Sequence, residues 1–181
     1  MFGIRSGWKH SSLNKFNLCA LFLLKKYIDG GDSRMNSIYM QKAVEEAKKA
    51  YKYNEVPVGA VIVRNNKIIA KSYNKKEKKK CAIYHAEIDA IKKATKRLGN
   101  WRLNGCEMYV TLEPCPMCAS AIKQSRIEKV FFLLENKNNE VHDLTINILS
   151  IKDANAPVET VKYANQEEIN EFITFFEKKR N

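Results

Sequence analysis

The sequence predicts an α/β fold, a three-layer α-β-α sandwich around a central mixed five-stranded sheet. Three observations carry that expectation. Segments of helical period alternate with short β-branched runs in the order α-β-β-α-β-α-β-β-α, the pattern of helices covering both faces of a sheet. The first two strands are separated only by the turn dipeptide Asn65-Asn66, which makes them a hairpin, while the later strands alternate with helices, so the sheet is mixed. The chain has 181 residues, 45% hydrophobic and 29% charged, enough for one domain of roughly 100–150 residues plus an appendage and too little for two ordinary enzyme domains.

Residues 1–34 stand apart. They carry six basic residues, no acid before Asp29, and a seven-residue apolar run, Leu18 to Leu24. A basic flank ahead of an apolar run is a feature of export signals, and a basic, acid-poor start is a feature of organellar transit peptides. Lys25-Lys26-Tyr27 follows the run in place of a small-residue cleavage site, so the reading preferred is a poorly ordered N-terminal extension ahead of a start at Met35. The domain then spans 35–181.

Met35 to Tyr53 has Ile38, Ala43, Val44, Ala47, Ala50 and Tyr51 near one face at 3.6-residue spacing, an amphipathic helix that stops before Pro57. Val58 to Val63 is a β-branched run and Lys67 to Tyr73 its return strand. Lys71 to Lys80 is a loop with six Lys and one Glu in ten residues. His85 to Leu98 recovers helical period, and Gly99-Asn100 stops it. Met108 to Leu112 is a strand, Pro116 to Gln124 a short helix, and Val130 to Leu134 a strand. Asn136 to Glu140 is a polar loop, Leu144 to Leu149 a short helix, and Val158 to Tyr163 the last strand. Gln166 to Lys179 closes the chain as an amphipathic helix with Ile169, Phe172, Ile173 and Phe176.

With 32 Lys+Arg against 20 Asp+Glu, the formal charge is +12, which points to a polyanionic partner such as nucleic acid or to a solvated basic face. Residues 1–34 hold +4 of it and residues 35–181 the remaining +8. Five cysteines at irregular spacing, only Cys115 and Cys118 closely paired, argue against a disulfide framework and for a reducing compartment with a metal or redox role for the pair. No run approaches the ~18 apolar residues of a membrane-spanning helix.

The chemistry-bearing constellation is His85-Ala86-Glu87 followed by Pro114-Cys115-Pro116-Met117-Cys118. One His and two Cys supply the three protein ligands of a catalytic zinc, with the fourth place left for water. Each half lies where a helix begins, so both can converge at one open end of the sheet. Cys115 and Cys118 are three apart, on one side of the first helical turn, where the positive helix end favours thiolate. Glu87, two residues past the His, sits where a proton shuttle belongs: it can take a proton from the activated water, pass it to a ring nitrogen, and protonate the leaving amine. A structural zinc site would need a fourth ligand, with Cys81 and Cys106 as candidates; Cys106 precedes a core strand and reads as packing. The joint H-x-E…P-C-x-x-C pattern is the signature of zinc nucleobase deaminases.

Four stretches extend that match: Glu55-Val56-Pro57-Val58-Gly59-Ala60-Val61, His85-Ala86-Glu87-Ile88, Tyr109 to Cys118, and Ser125-Arg126-Ile127. From about Met35 onward the chain resembles the tRNA-specific adenosine deaminases of the cytidine deaminase-like superfamily. The resemblance implies a cytidine deaminase-like fold and hydrolysis of adenosine to inosine at the wobble position of a tRNA anticodon. It implies one zinc per subunit on His85, Cys115 and Cys118, Glu87 as general acid/base, and a homodimer. By the same resemblance Asn74 hydrogen-bonds the target base, Val58 lines its pocket, and Ala86 places a backbone N–H near the reacting centre. Phe175 to Arg180 is similar to the family's closing aromatic-basic segment, which makes Phe176, Lys178 and Arg180 contacts to the anticodon loop, with Phe172 read as packing.

Two departures stand out. Ile83-Tyr84 occupy the approach to His85, and Glu135 to Asp143 replace the family's Gly-rich loop, with His142 read as solvated. The alternatives are a guanine or cytosine deaminase acting on a free base or nucleotide, and a zinc-stabilised RNA-binding subunit without turnover. The Lys75–Lys80 cations beside Asn74 are read as a basic lip for RNA. The compartment is expected to be cytoplasmic, with an organelle also compatible with residues 1–34.

Overall fold

The structure, a computed structural model, describes residues 33–153, 155–163, 169, 170 and 172–174. The elements, in chain order, are α1 (Ser33–Lys52), β1 (Gly59–Arg64), β2 (Lys67–Tyr73), α2 (Lys76–Lys79), α3 (Ala86–Leu98), β3 (Cys106–Leu112), α4 (Pro116–Gln124), β4 (Lys129–Leu134), α5 (Asn139–Ser150) and β5 (Glu159–Lys162). The five strands form one sheet in the order β2-β1-β3-β4-β5. β1 runs antiparallel to both β2 and β3, and β3, β4 and β5 are mutually parallel. This is the expected mixed five-stranded sheet.

Side-chain alternation along the strands builds the three layers. Ala60 and Ile62 of β1, Met108 and Val110 of β3, and Val130 and Phe132 of β4 pack on one face with Ala86, Ala90 and Ala94 of α3, Ala119 and Ile122 of α4, and Leu149 of α5. Their neighbours Val61, Val63, Tyr109, Phe131 and Leu133 point the other way, onto Tyr39, Met40, Ala43, Val44 and Ala47 of α1 and onto Phe172. Phe172 is therefore a packing residue, as read from the sequence. The Tyr109 and Phe131 rings stack with centroids 4.5 Å apart.

Gly59 shows how closely α1 approaches the sheet. A Cβ at this position would overlap the carbonyl oxygen of Ala43 and come within 2.5 Å of the amide nitrogen of Ala47. Only a residue without a side chain lets helix and strand meet here.

Topology fixes where a site can form. Ala60 of β1 pairs with Val110 near the end of β3, and Gly59 pairs with Tyr73 at the end of β2, so β2 and β3 finish at the same edge of the sheet. The segments that leave them, toward α3 and α4, start side by side.

The structure departs from the expected elements in three places. Asn136–Asn138 is a loop as expected, but the helix after it starts at Asn139 and not at Leu144. The Asn138 side chain accepts hydrogen bonds from the N–H groups of Glu140 and Val141, capping a twelve-residue α5 that begins at Asn139; the polar residues were the cap, not a break. The lysine run contains a helical turn, α2, that its charge alone does not predict. The last strand is shorter than expected, Glu159–Lys162. Of the closing segment 166–179, the described residues 169, 170 and 172–174 are helical.

Candidate active site

Two residues at helix starts face one another. His85 precedes α3 with φ −71° and ψ 156°, and Cys115 precedes α4 with φ −71° and ψ 166°. Each is extended while the next residue is helical, so each side chain projects from the open end of its helix. Pro116 opens α4, where a missing N–H costs no hydrogen bond. One turn in, Cys118 is fully buried.

The Cys115 Sγ lies 3.7 Å and the Cys118 Sγ 3.5 Å from His85 Nδ1, and the three donor atoms all fall within 4.8 Å of one another. Tetrahedral zinc, with bonds of about 2.3 Å to sulfur and about 2.0–2.1 Å to nitrogen, sets S and N about 3.5–3.6 Å apart. The donor set fits zinc in both chemistry and spacing. Among the described residues, Cys81 and Cys106 do not join the cluster. Cys106 is buried in the core, as its position before a strand predicts.

Electrostatics point the same way. Hydrogen bonds from Cys118 and His85 hold the Cys115 thiol down at about 4, despite burial. Cys118 is pushed up by the same pairing with Cys115 and by burial, and the His85 imidazole is raised by its hydrogen bond to Cys115. A thiolate at Cys115 thus faces a thiol at Cys118 and the His85 imidazole, and a divalent cation would displace the remaining thiol proton.

Glu87, in the first turn of α3, is 3% exposed. Burial pushes its carboxyl up to about 7, against the opposing pull of its backbone hydrogen bond and the charge of His85. It lines a cavity of about 530 Å³ together with His85, Cys115, Ala86, Val58 and Asn74, a volume in the range of small-molecule sites. Ala86 is the first residue of α3, where amide N–H groups have no partner within the helix. The Asn74 N–H donates to the carbonyl of Val58 at 2.9 Å, which seats these two residues side by side in the wall. Asn74 Oδ1 is buried and meets no donor from the described residues. Phe176, Lys178 and Arg180 lie outside the described residues.

Three acids to which the sequence analysis assigned no role support this site. Asp89, facing away from the cavity, accepts from Ser72 Oγ at 2.5 Å and Lys75 Nζ at 2.6 Å, gripping both sides of Asn74. Burial opposes its charge, but hydrogen bonds from Lys75, Ser72 and Lys93 hold its carboxyl at about 2. Lys75 is therefore ion-paired with Asp89 and half-buried, apart from the exposed lysines that follow it. Glu55 accepts from the N–H groups of Glu77 and Lys78. Glu113 accepts from the Asn136 N–H at 2.8 Å and pairs with His142 Nδ1 at 2.9 Å. His142 is thus not a solvated loop residue but a tie between α5 and the segment that leads to Cys115. The legible signals were an acid next to a Pro-interrupted apolar run for Glu55, and an acid on the buried side of a helix for Asp89.

Residues 33–134 match the model of the cytidine and deoxycytidylate deaminase zinc-binding region. A tRNA-specific adenosine deaminase of Bacillus subtilis (strain 168) is 43% identical over 141 residues, 78% of this chain and 88% of that protein. The chain belongs to the tRNA-specific adenosine deaminases. A solved structure from work on A-to-I editing by tRNA:A34 deaminases at the wobble position of transfer RNA aligns with a TM-score of 0.63 and 33% identity, covering 70% of this deaminase and 97% of that chain. A guanine deaminase from Bacillus subtilis aligns with a TM-score of 0.54 and 28% identity, covering 77% and 92%. The shared fold therefore serves more than one amino-bearing base, and the substrate of a family member is decided by its pocket and rim.

Proposed function

We propose that this protein hydrolyses adenosine to inosine at the wobble position of a tRNA anticodon. The observation that carries the reading is the convergence, in one cavity, of a buried carboxyl, three zinc-donor atoms and an unmet acceptor on Asn74, in a chain 43% identical to a tRNA-specific adenosine deaminase. His85, Cys115 and Cys118 hold one zinc per subunit, which when bound supplies Lewis acidity that lowers the pKa of water to about 7.

The chain's own groups do the rest. Glu87, poised near neutrality by burial, takes one proton of the attacking water at its carboxylate and delivers it to a ring nitrogen of the base, then takes the second proton of that water and passes it to the amino group, which departs as ammonia. Asn74 reads the base edge, Val58 forms an apolar wall, and the Ala86 N–H orients the reacting centre. Phe176, Lys178 and Arg180 contact the anticodon loop, whose flipped base wants an aromatic wall and whose phosphates want cations.

The active unit is a homodimer. Residues 35–181 form the deaminase domain and 1–34 an extension to it, a division supported by a family match that starts at residue 33. Among the described residues no helix is long and apolar enough to cross a membrane. The four described cysteines are not joined in disulfides, which supports a reducing compartment such as the cytoplasm or an organelle interior. The presence of Glu87 and a ligand count of three in the described cluster argue against a zinc-stabilised binding subunit without turnover.

The deciding experiment incubates zinc-loaded protein with tRNA bearing adenosine at the wobble position and analyses the nucleosides. Inosine is the expected product. Its absence, alongside ammonia released from guanine or cytosine, transfers the assignment to a base deaminase, the reading favoured by the likeness to guanine deaminase.

A further inference from the structure

Residues 75–80 hold five lysines and one glutamate, a charge density that ordinarily leaves a chain open and solvated. This segment is tied down instead. The Lys75 N–H donates to the carbonyl of Tyr84 at 3.0 Å, the Cys81 N–H to that of Lys76 at 3.1 Å, and α2 ends at Lys80 in the left-handed region, φ 48°.

The strongest tie comes from beneath. Glu55, 0% exposed, offers one carboxylate oxygen to the N–H of Glu77 at 3.0 Å and the other to the N–H of Lys78 at 2.8 Å. Such charge-assisted bonds are about twice as strong as neutral ones, and the anion under the turn offsets the repulsion among its lysines. Lys75 is paired with Asp89. That leaves Lys76, Lys78, Lys79 and Lys80, all exposed. Lys76 lines the cavity mouth with Asn74, and the Lys78 ammonium is braced 4.2 Å over the ring of Tyr53.

We propose that Lys76, Lys78, Lys79 and Lys80 form a preformed phosphate-binding lip for the RNA strand entering the pocket, and that Glu55 is its positioning residue. The inference rests on the tRNA deaminase reading: a free base carries no phosphates to place, whereas an anticodon loop presents them on either side of the flipped nucleotide. A lip ordered in advance spares the cost of ordering it on binding.

Glu55 exerts two effects of opposite sign on RNA, and this makes the proposal testable. As a bare negative charge it repels phosphates, so Glu55→Gln tightens binding. As an anchor it holds the lip, so the same change weakens binding. The test uses the full-length, zinc-loaded protein and an anticodon stem-loop RNA with adenosine at the wobble position, with Kd measured across salt concentrations.

Glu55→Gln is expected to weaken binding about three- to tenfold, to raise KM more than it lowers kcat, and to speed hydrogen exchange at the Glu77 and Lys78 amides. The double variant Lys78→Ala/Lys79→Ala is expected to make the slope of log K against log salt shallower by about 1.4, or about 0.7 per single-strand phosphate contact. Unchanged or tighter binding by Glu55→Gln overturns the positioning role, and an unchanged slope in the lysine variant overturns the lip. Should Glu55→Gln fail to fold, Glu55→Asp keeps the charge with a shorter reach; undiminished binding by that variant overturns the positioning role equally. Inosine formation with an unaltered slope sinks the lip alone, while a reduced slope without inosine sinks the substrate reading alone.

Discussion

A carboxyl that must both accept and return a proton near neutral pH needs access to each form, and burial of Glu87 up to about 7 provides it. Replacing Glu87 with Ala or Gln should leave zinc near one per chain by metal analysis and lower the rate of inosine formation by about 10²–10⁴-fold; loss of zinc would make Glu87 a ligand instead. His142 gives a pH-dependent signal of a different kind. Its imidazole faces Glu113, Glu135 and Asp143, and the hydrogen bond to Glu113 raises its pKa above the ordinary 6.5. A raised folded value means the tie is at full strength below about 6.5 and is lost as pH rises through the folded value. The Tm difference between the parent and His142→Ala should therefore be widest in mild acid and close toward alkaline pH. A gap independent of pH would show that the tie is not ionic. The His85, Cys115 and Cys118 cluster was legible in the sequence because zinc chemistry restricts residue type and spacing, and Glu87, two residues past the His, lines the same cavity. For Glu55 and Asp89 the local pattern hints at burial but not at the partners: the amides that meet Glu55 and Glu113 and the Ser72 and Lys75 side chains that meet Asp89 are remote along the chain.

At the scale of elements, the close seat of α1 on β1 rests on Gly59. Gly59→Ala should separate helix from strand and cost on the order of 3 kcal/mol or more, seen as a large drop in Tm or as insoluble protein; a Tm within a degree of the parent would mean that the helix can slide. Strand alternation and helical period made the elements and both core faces readable in advance, down to Phe172. Two of the departures arise where a side chain acts on the backbone, as Asn138 does in capping α5 and Glu55 in binding α2. Such partners are remote or ambiguous along the chain, so periodicity cannot register them.

For the molecule as a whole, the metal and the fold draw on different residues. The two cores lie on opposite faces of the sheet, while the donor cluster sits at one sheet edge. Chelation should then abolish turnover and lower Tm, since an ion that binds only the folded state stabilises it, yet leave the far-UV circular dichroism unchanged at 25 °C. Collapse of that signal would show the ion to be structural. Of the net charge of +12, compatible at first with any polyanion, the proposed lip takes four lysines, of which Lys76 lines the cavity with Asn74.

One atom works against the stability of the fold. Asn74 Oδ1 lies buried with no donor from the described residues, a position that an apolar side chain of similar shape would fill without the desolvation cost of a lone acceptor, about 1–3 kcal/mol. In the cavity wall beside Val58, that lone acceptor is a standing cost to the stability of the chain by itself, and a donor brought to it there would recover the cost.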